Sequence, residues 1–246
     1  MIGLEEHMEL FKLIGEGLKN AAECMAIGGS AMLFYGMKSA TKDVDIVFFS
    51  EKELDSMIGV LKESGFSEKL LERDKLKNGI PVVMHRGEER LDLFLNRVFH
   101  FTISQAMRER TRQKHEFKNL IIDVVSHEDV ILLKSVTDRD GDRADVKNII
   151  GKVSVNWDTI IQEARWQTEN GNKAFSVYLF DFLEELFDSG VQIPKEVLRK
   201  VRKISEEEML KVLKSGEYVN GRGKASADAF KRKSTFRLRS GNASSR

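Results

Sequence analysis

The run Leu91-Asp92-Leu93-Phe94-Leu95 sets a carboxylate among four apolar residues. An ionised group in such a strand is expensive to bury unless a cation or hydrogen-bond donors stand beside it. Whatever fold this chain adopts must therefore bring a partner to Asp92. The run Asp43-Val44-Asp45-Ile46-Val47-Phe48-Phe49 repeats the problem. It is β-branched and aromatic, as suits a sheet strand. Side chains two apart on a strand emerge on the same face, so Asp43 and Asp45 point the same way. Carboxylates crowded together need a cation, and hard oxygen donors suit magnesium. Three of them on two strands can hold a pair of ions ~4 Å apart, the arrangement that clamps the attacking and leaving oxygens of a phosphoryl displacement. Two plainer readings stay open here: a solvated acid pair at a strand end, and a salt bridge from Asp92 to Arg90.

Upstream, Cys24-Met25-Ala26-Ile27 reads as a short buried strand ending at Gly28-Gly29. Ser30 is expected to N-cap a helix through Ala31, Met32, Leu33, Phe34 and Tyr35, closed by Gly36. Glycines let the backbone approach a ligand, and free N–H groups at a helix start suit phosphate. The same tripeptide also serves as an ordinary tight turn.

Around this core, Leu4, Met8, Phe11, Leu13, Ile14 and Leu18 recur at helical spacing and predict an opening amphipathic helix. Ser50 and Gly65 bracket a helix whose inward face is Leu54, Met57, Ile58 and Leu61. Residues 80–84 and 91–95 flank a polar turn and predict an antiparallel hairpin, with Asp92 in its second strand. A helix over 103–110 and a strand over 120–125 follow, then a Ser126/Asp129 capping box. From Trp157 the patterns are helical: 157–168, 175–187, 196–204 and 206–213, the last with a Ser205-x-x-Glu208 box and a Gly216 stop.

Lysine plus arginine total 40 against 39 acids, so there is no global field to attract a polyanion, and any phosphate binding must be local. The single cysteine, Cys24, excludes a disulfide scaffold and suits a reduced, intracellular setting. His7, His85, His100, His115, His127 and Cys24 show no zinc-ligand spacing. The N-terminus carries acids where a secretory signal has bases, and no apolar run approaches the ~20 residues of a membrane span. A cytoplasmic protein with no membrane attachment is the expectation. After Asn220 the sequence is basic and poor in apolar residues, which predicts a disordered tail over 217–246. Its lysines and arginines could meet RNA phosphates, while its few aromatics favour a solvated terminus.

The order of these features carries more information than any one of them. Ile27-Gly28-Gly29-Ser30-Ala31, then Thr41-Lys42-Asp43-Val44-Asp45-Ile46, then Leu91-Asp92-Leu93 resembles the polymerase-beta-like nucleotidyltransferase superfamily over roughly residues 20 to 150. Within it the chain is similar to small prokaryotic members grouped with minimal nucleotidyltransferases and AbiEii-type abortive-infection toxins. Those relatives carry a lysine, an arginine and spaced acids later on, and Lys134, Arg139, Asp142 and Asp145 stand in a comparable arrangement.

The resemblance implies an α+β nucleotidyltransferase fold, a mixed sheet with flanking helices, over 1–152, and a C-terminal helical bundle over 153–216. It implies two magnesium ions, bridged by Asp43 and Asp45, with Asp92 on one of them. The nucleoside triphosphate would rest on Gly28, Gly29 and Ser30, with Lys134 reaching the triphosphate or acceptor, unless Lys134 is a plain exposed helix lysine. The implied reaction moves a nucleoside monophosphate onto a protein, RNA or small-molecule hydroxyl. A non-catalytic antitoxin or regulator that binds NTP and a partner protein is the alternative. A glycosyltransferase would account for Asp43-x-Asp45 but for neither Gly28-Gly29-Ser30 nor Asp92. Which nucleotide, which acceptor and which oligomeric state are not written in the sequence.

Overall fold

The computed structural model describes residues 1–69 and 73–215. The chain opens with β1 (Ile2–Gly3), α1 (Leu4–Gly17), β2 (Ala22–Ala26), α2 (Gly28–Phe34), β3 (Ala40–Thr41), β4 (Val44–Phe48) and α3 (Glu51–Glu63). Next come β5 (Ser67–Lys69), a 3-10 turn (Arg73–Asn78), β6 (Val82–Arg86), β7 (Glu89–Leu95), β8 (Arg97–Val98), β9 (Phe101–Thr102) and α4 (Gln105–Glu109). The hairpin β10 (Gln113–Phe117) and β11 (Leu120–Val124) precedes α5 (His127–Lys134), α6 (Asp140–Lys152), α7 (Trp157–Asn170), α8 (Phe175–Asp188) and α9 (Lys195–Ser215).

The main sheet runs β10-β11-β2-β4-β7-β6-β5, with β8 and β9 folded back from β7. It is mixed: β2 is antiparallel to β4, while β4 and β7 are parallel. Alternation along the strands sorts the core into two faces. Val44, Ile46 and Phe48 of β4 and Leu91, Leu93 and Leu95 of β7 join Phe11 and Ile14 of α1 and Met57 and Leu61 of α3. Val47 and Phe94 point the other way, into a cluster that includes Met32 of α2, Ile131 of α5, Ile160 of α7, Leu179 of α8 and Val201 of α9. That second apolar cluster runs without a break from the sheet to the C-terminal helices. Asp45 and Asp92 lie two residues before Val47 and Phe94, so they occupy this same face.

Several elements depart from the sequence reading. The inward stripe of α1 is His7, Leu10, Phe11 and Ile14, whereas Leu4, Met8 and Leu13 face solvent. Phe11, Ile14 and Leu18 are buried as expected, and the remainder of the buried stripe is supplied by Leu10 and by a histidine, which a hydrophobic pattern does not register. Ser30 is not an N-cap: α2 starts two residues earlier, with Ile27 at the cap. Residues 195–215 form one helix where two were expected. Ser205, read as the start of a capping box, donates its hydroxyl to the Val201 carbonyl at 3.2 Å inside that helix, and its position among the buried Val197, Val201 and Ile204 keeps the helix continuous. β10 escaped notice because Gln113-Lys114-His115-Glu116-Phe117 has the charged composition of a sheet edge. The Ser126/Asp129 box is present, Ser126 Oγ accepting from the Asp129 N–H at 3.2 Å. Gly216 and the tail over 217–246 lie outside the described residues. No helix among the described residues is long and apolar enough to cross a membrane.

Candidate active site

Parallel pairing of β4 with β7 sets Asp45 directly beside Asp92. The two carboxylates share one face, and Asp43, two residues before Asp45, stands just outside the strand. Arg90, two residues before Asp92, completes the group. Its Nε donates to Asp92 Oδ1 at 2.8 Å and its Nη2 to Asp92 Oδ2 at 2.9 Å. The same Nε lies 3.6 Å from Asp43 Oδ1. The salt bridge considered as the plain reading of Asp92 is thus present, and it reaches a second acid. Asp45 makes no such pair among the described residues. Burial, then the negative charges of Asp92 and Asp43, push its carboxyl up to about 7, against an ordinary 3.8. Burial also raises Asp92, outweighing the hydrogen bonds from Arg90.

The glycine turn sits against these acids. Gly28 has φ +54°, and a Cβ there would fall 2.9 Å from Asp45 Oδ2. A Cβ on Gly29 would meet Thr41 Oγ1 at 2.3 Å. Both positions therefore exclude side chains for reasons internal to the chain, and the Gly28 backbone lies directly over the Asp45 carboxylate. Ser30 is fully buried. Its Oγ accepts from the Asp45 backbone N–H at 3.1 Å and lies 3.3 Å from His7 Nε2. His7 Nδ1 is 3.1 Å from the Gly3 carbonyl. Only one proton arrangement satisfies all four groups: Nδ1–H donates to Gly3, and Nε2 accepts from the Ser30 hydroxyl. That requires a neutral imidazole, and burial does push the His7 pKa below its ordinary value, against the Gly3 hydrogen bond and Glu6. The Ser30 hydroxyl is thereby committed to holding the strand that carries Asp45.

His7 is the residue that sequence reasoning missed, having been weighed only as a zinc ligand. Its signal was periodic: it stands three and four residues before Leu10 and Phe11, on the buried stripe of α1.

Lys134 ends α5 and is buried. Its Nζ pairs with Asp142 of α6 and lies 2.8 Å from Asp145, which also receives Lys38 at 2.9 Å. Arg139 Nε donates to Asp142 at 2.9 Å. Burial alone would raise the Asp142 carboxyl, but Lys134, Thr137 and Arg139 outweigh it and hold it below its usual value. Lys134 and Arg139 also act on Asp45, partly offsetting its upward shift. The structure thus brings Asp43, Asp45, Asp92, Gly28, Gly29, Ser30 and Lys134 into one neighbourhood, with Lys134 tied to two acids and not free at a helix surface.

The three acids are oxygen donors of the kind a divalent cation takes, gathered on one face with the Arg90 guanidinium beside two of them. As arranged here the acids do not close on a common point. Among the described residues no three His, Cys, Asp or Glu side chains are grouped so as to hold a metal ion. Arg90 meanwhile occupies both oxygens of Asp92.

Comparison with curated proteins finds no match. Among solved structures, the chain is similar to ANT(2")-Ia in complex with adenylyl-2"-tobramycin at 16% identity and a TM-score of 0.35, covering 73% of this chain and 95% of that one. It is also similar to an antigenic nucleotidyltransferase-like protein from Paracoccidioides brasiliensis, at 14% identity and a TM-score of 0.43 over 82% and 94% of the two chains. The stronger finding is a family model, described as a nucleotidyltransferase of unknown function (DUF6036), which matches residues 3–177 and so spans the sheet, the glycine turn and all three acids. The chain belongs to the DUF6036 nucleotidyltransferase family.

Proposed function

We propose that this chain transfers a nucleoside monophosphate from an NTP to an acceptor hydroxyl, with Asp43, Asp45 and Asp92 as magnesium ligands. The observation that carries the reading is the juxtaposition of the glycine turn with the acids: Gly28 leaves no room for a Cβ beside Asp45, and Asp45 is the register partner of Asp92. A triphosphate lying over Gly28-Gly29 would have its α-phosphorus next to the carboxylates. The acceptor oxygen attacks that phosphorus, the bridging bond to the β-phosphate breaks, pyrophosphate leaves and the acceptor proton passes to solvent. Two magnesium ions, when bound, supply charge neutralisation for the phosphates and for the attacking oxygen.

The chain's own contribution is positional. Ser30 and His7 fix the Asp45 backbone, while the Gly28 and Gly29 backbone lies close to the ligand. Lys134 is held by Asp142 and Asp145 at a distance from which its charge reaches Asp45. The grouping with minimal and AbiEii-type members belongs to the same proposal, supported by the way Lys134, Arg139, Asp142 and Asp145 assemble.

A second reading, a nucleotidyltransferase-fold antitoxin or regulator that binds NTP and a partner protein without turnover, is favoured by one observation, the closure of Arg90 on Asp92. One experiment separates the two. The full chain is incubated with each α-labelled NTP and magnesium, together with protein, RNA and small-molecule fractions. Transfer predicts label in one fraction and its loss in Asp45→Asn, whereas NTP binding without any labelled product leaves the regulator.

A further inference from the structure

We propose that Arg90 is a displaceable counter-ion built into the metal site, which holds Asp92 and Asp43 until a divalent cation takes its place. The inference rests on the metal-ligand reading of Asp43, Asp45 and Asp92 given above.

Three features of the geometry lead to it. Arg90 and Asp92 are two apart on β7, so the guanidinium shares the face of the acids whatever its rotamer. Its side-on fork engages both oxygens of Asp92 and leaves neither carboxylate oxygen unengaged for a metal. The Asp92 side chain is only 11% exposed whereas that of Arg90 is 47% exposed. These exposures decide which partner moves. A buried carboxylate left without its cation is strongly destabilised, while a half-exposed guanidinium on a long stem swings into water at little cost. The other two cations that act on Asp45 are different: Lys134 has a side chain 7% exposed and is fixed between Asp142 and Asp145, and Arg139 pairs with Asp142 and not with the three acids. Among the described residues, Arg90 alone combines contact with two of the three acids and an open route to solvent. Ligation of Asp92 is therefore an exchange of one cation for another, and Arg90 lowers the affinity of the site for a bare ion.

The test is manganese binding to the full chain without nucleotide, by electron paramagnetic resonance titration, with unfolding melts as a check of fold. Arg90→Gln keeps hydrogen-bonding capacity and removes the charge. It should bind manganese about tenfold more tightly, the size expected when one positive charge some 6 Å from a divalent ion is removed in largely aqueous surroundings. Arg90→Lys keeps the charge and should stay within about threefold of the unmodified chain. Equal or weaker binding by Arg90→Gln overturns the assignment while leaving the metal site standing. No binding by any of the three overturns the metal reading as well. In the unmodified protein, the Arg90 Nε–H resonance should be protected from solvent exchange and lose that protection as magnesium is added. Unchanged protection at saturating magnesium also overturns the assignment.

Discussion

Asp45→Asn should make this protein more stable while removing a proposed ligand, and the gain should depend on pH in a defined direction. The folded-state carboxyl of Asp45 sits at about 7, against 3.8 for an unperturbed one. A group whose folded pKa is raised contributes its full stability below the unfolded value and loses it as pH rises through the folded one. The loss therefore spreads from about pH 4 to about pH 7. At ~1.4 kcal/mol per pH unit, the ionised Asp45 costs the fold up to about 4 kcal/mol at pH 8. Solvent relaxation around a half-buried carboxyl reduces this to about 2 kcal/mol. Asparagine is isosteric and neutral at every pH, and the Ser30 hydrogen bond goes to the backbone N–H, so the substitution leaves the anchoring of β4 intact.

Thermal melts in EDTA should show the two proteins within ~1 kcal/mol at pH 4, with the variant melting ~4–8 °C higher at pH 8 for a chain of this size. Magnesium should narrow that gap by stabilising only the unmodified protein. Parallel pH curves for the two proteins, or a less stable variant at pH 8, would refute the idea that Asp45 is short of positive charge.

Gly28→Ala should cost about 1–2 kcal/mol from the positive φ alone and weaken manganese binding further by pushing on Asp45 Oδ2, checked by melts and titration together. Arg110→Met should cost about 3–5 kcal/mol in denaturant unfolding, because it strands Asp129 and Glu163, which meet the guanidinium at 2.9 Å and 2.7 Å. Adding Asp129→Asn and Glu163→Gln should recover part of that loss. His7→Ala should cost about 1–3 kcal/mol by leaving the buried Ser30 hydroxyl without its acceptor, and single-turnover transfer should slow while NTP affinity measured by fluorescence changes less than twofold.

The two acid-bearing strands were legible because each breaks an apolar run at a position that burial makes costly, and the glycine turn because strand, turn and helix follow one another within a few residues. Their mutual placement was not legible. It depends on β4 pairing parallel with β7, a contact between residues almost fifty positions apart that no local pattern encodes. The Ser30 N-cap was a local rule overridden by a long-range bond: the hydroxyl that fits a cap is instead drawn inward by the Asp45 amide and His7. His7 itself was hidden by its chemistry, since a polar residue does not register in a hydrophobic pattern even when it occupies a buried stripe. The split of α9 at Ser205 failed for the converse reason. A capping signature was present, but the buried side chains on either side of it keep the helix in one piece.

How the chain treats its other acids gives the active-site reading its force. Asp142 and Asp145 are served by Lys134, Lys38 and Arg139, and Asp142 lies below its ordinary pKa in spite of its burial. Asp129 and Glu163 share Arg110, with Ser126 donating to one and Ser104 and Gln167 to the other. This sequence therefore neutralises those buried carboxylates, each with two cations or with a cation and further donors, and the central cations Lys134 and Arg110 have side chains only 7% and 22% exposed. On the β4 and β7 face it does not. Of the three carboxylates on this face only Asp92 is hydrogen-bonded by the half-exposed Arg90, Asp43 lies 3.6 Å from its Nε, and Asp45, which has no ion pair among the described residues, carries the upward shift to about 7. A structural cluster left that far short of positive charge would be a standing cost to stability, removable by one substitution such as Asp45→Asn. Its presence beside a glycine turn that admits no side chain fits a place where the missing charge arrives with a ligand.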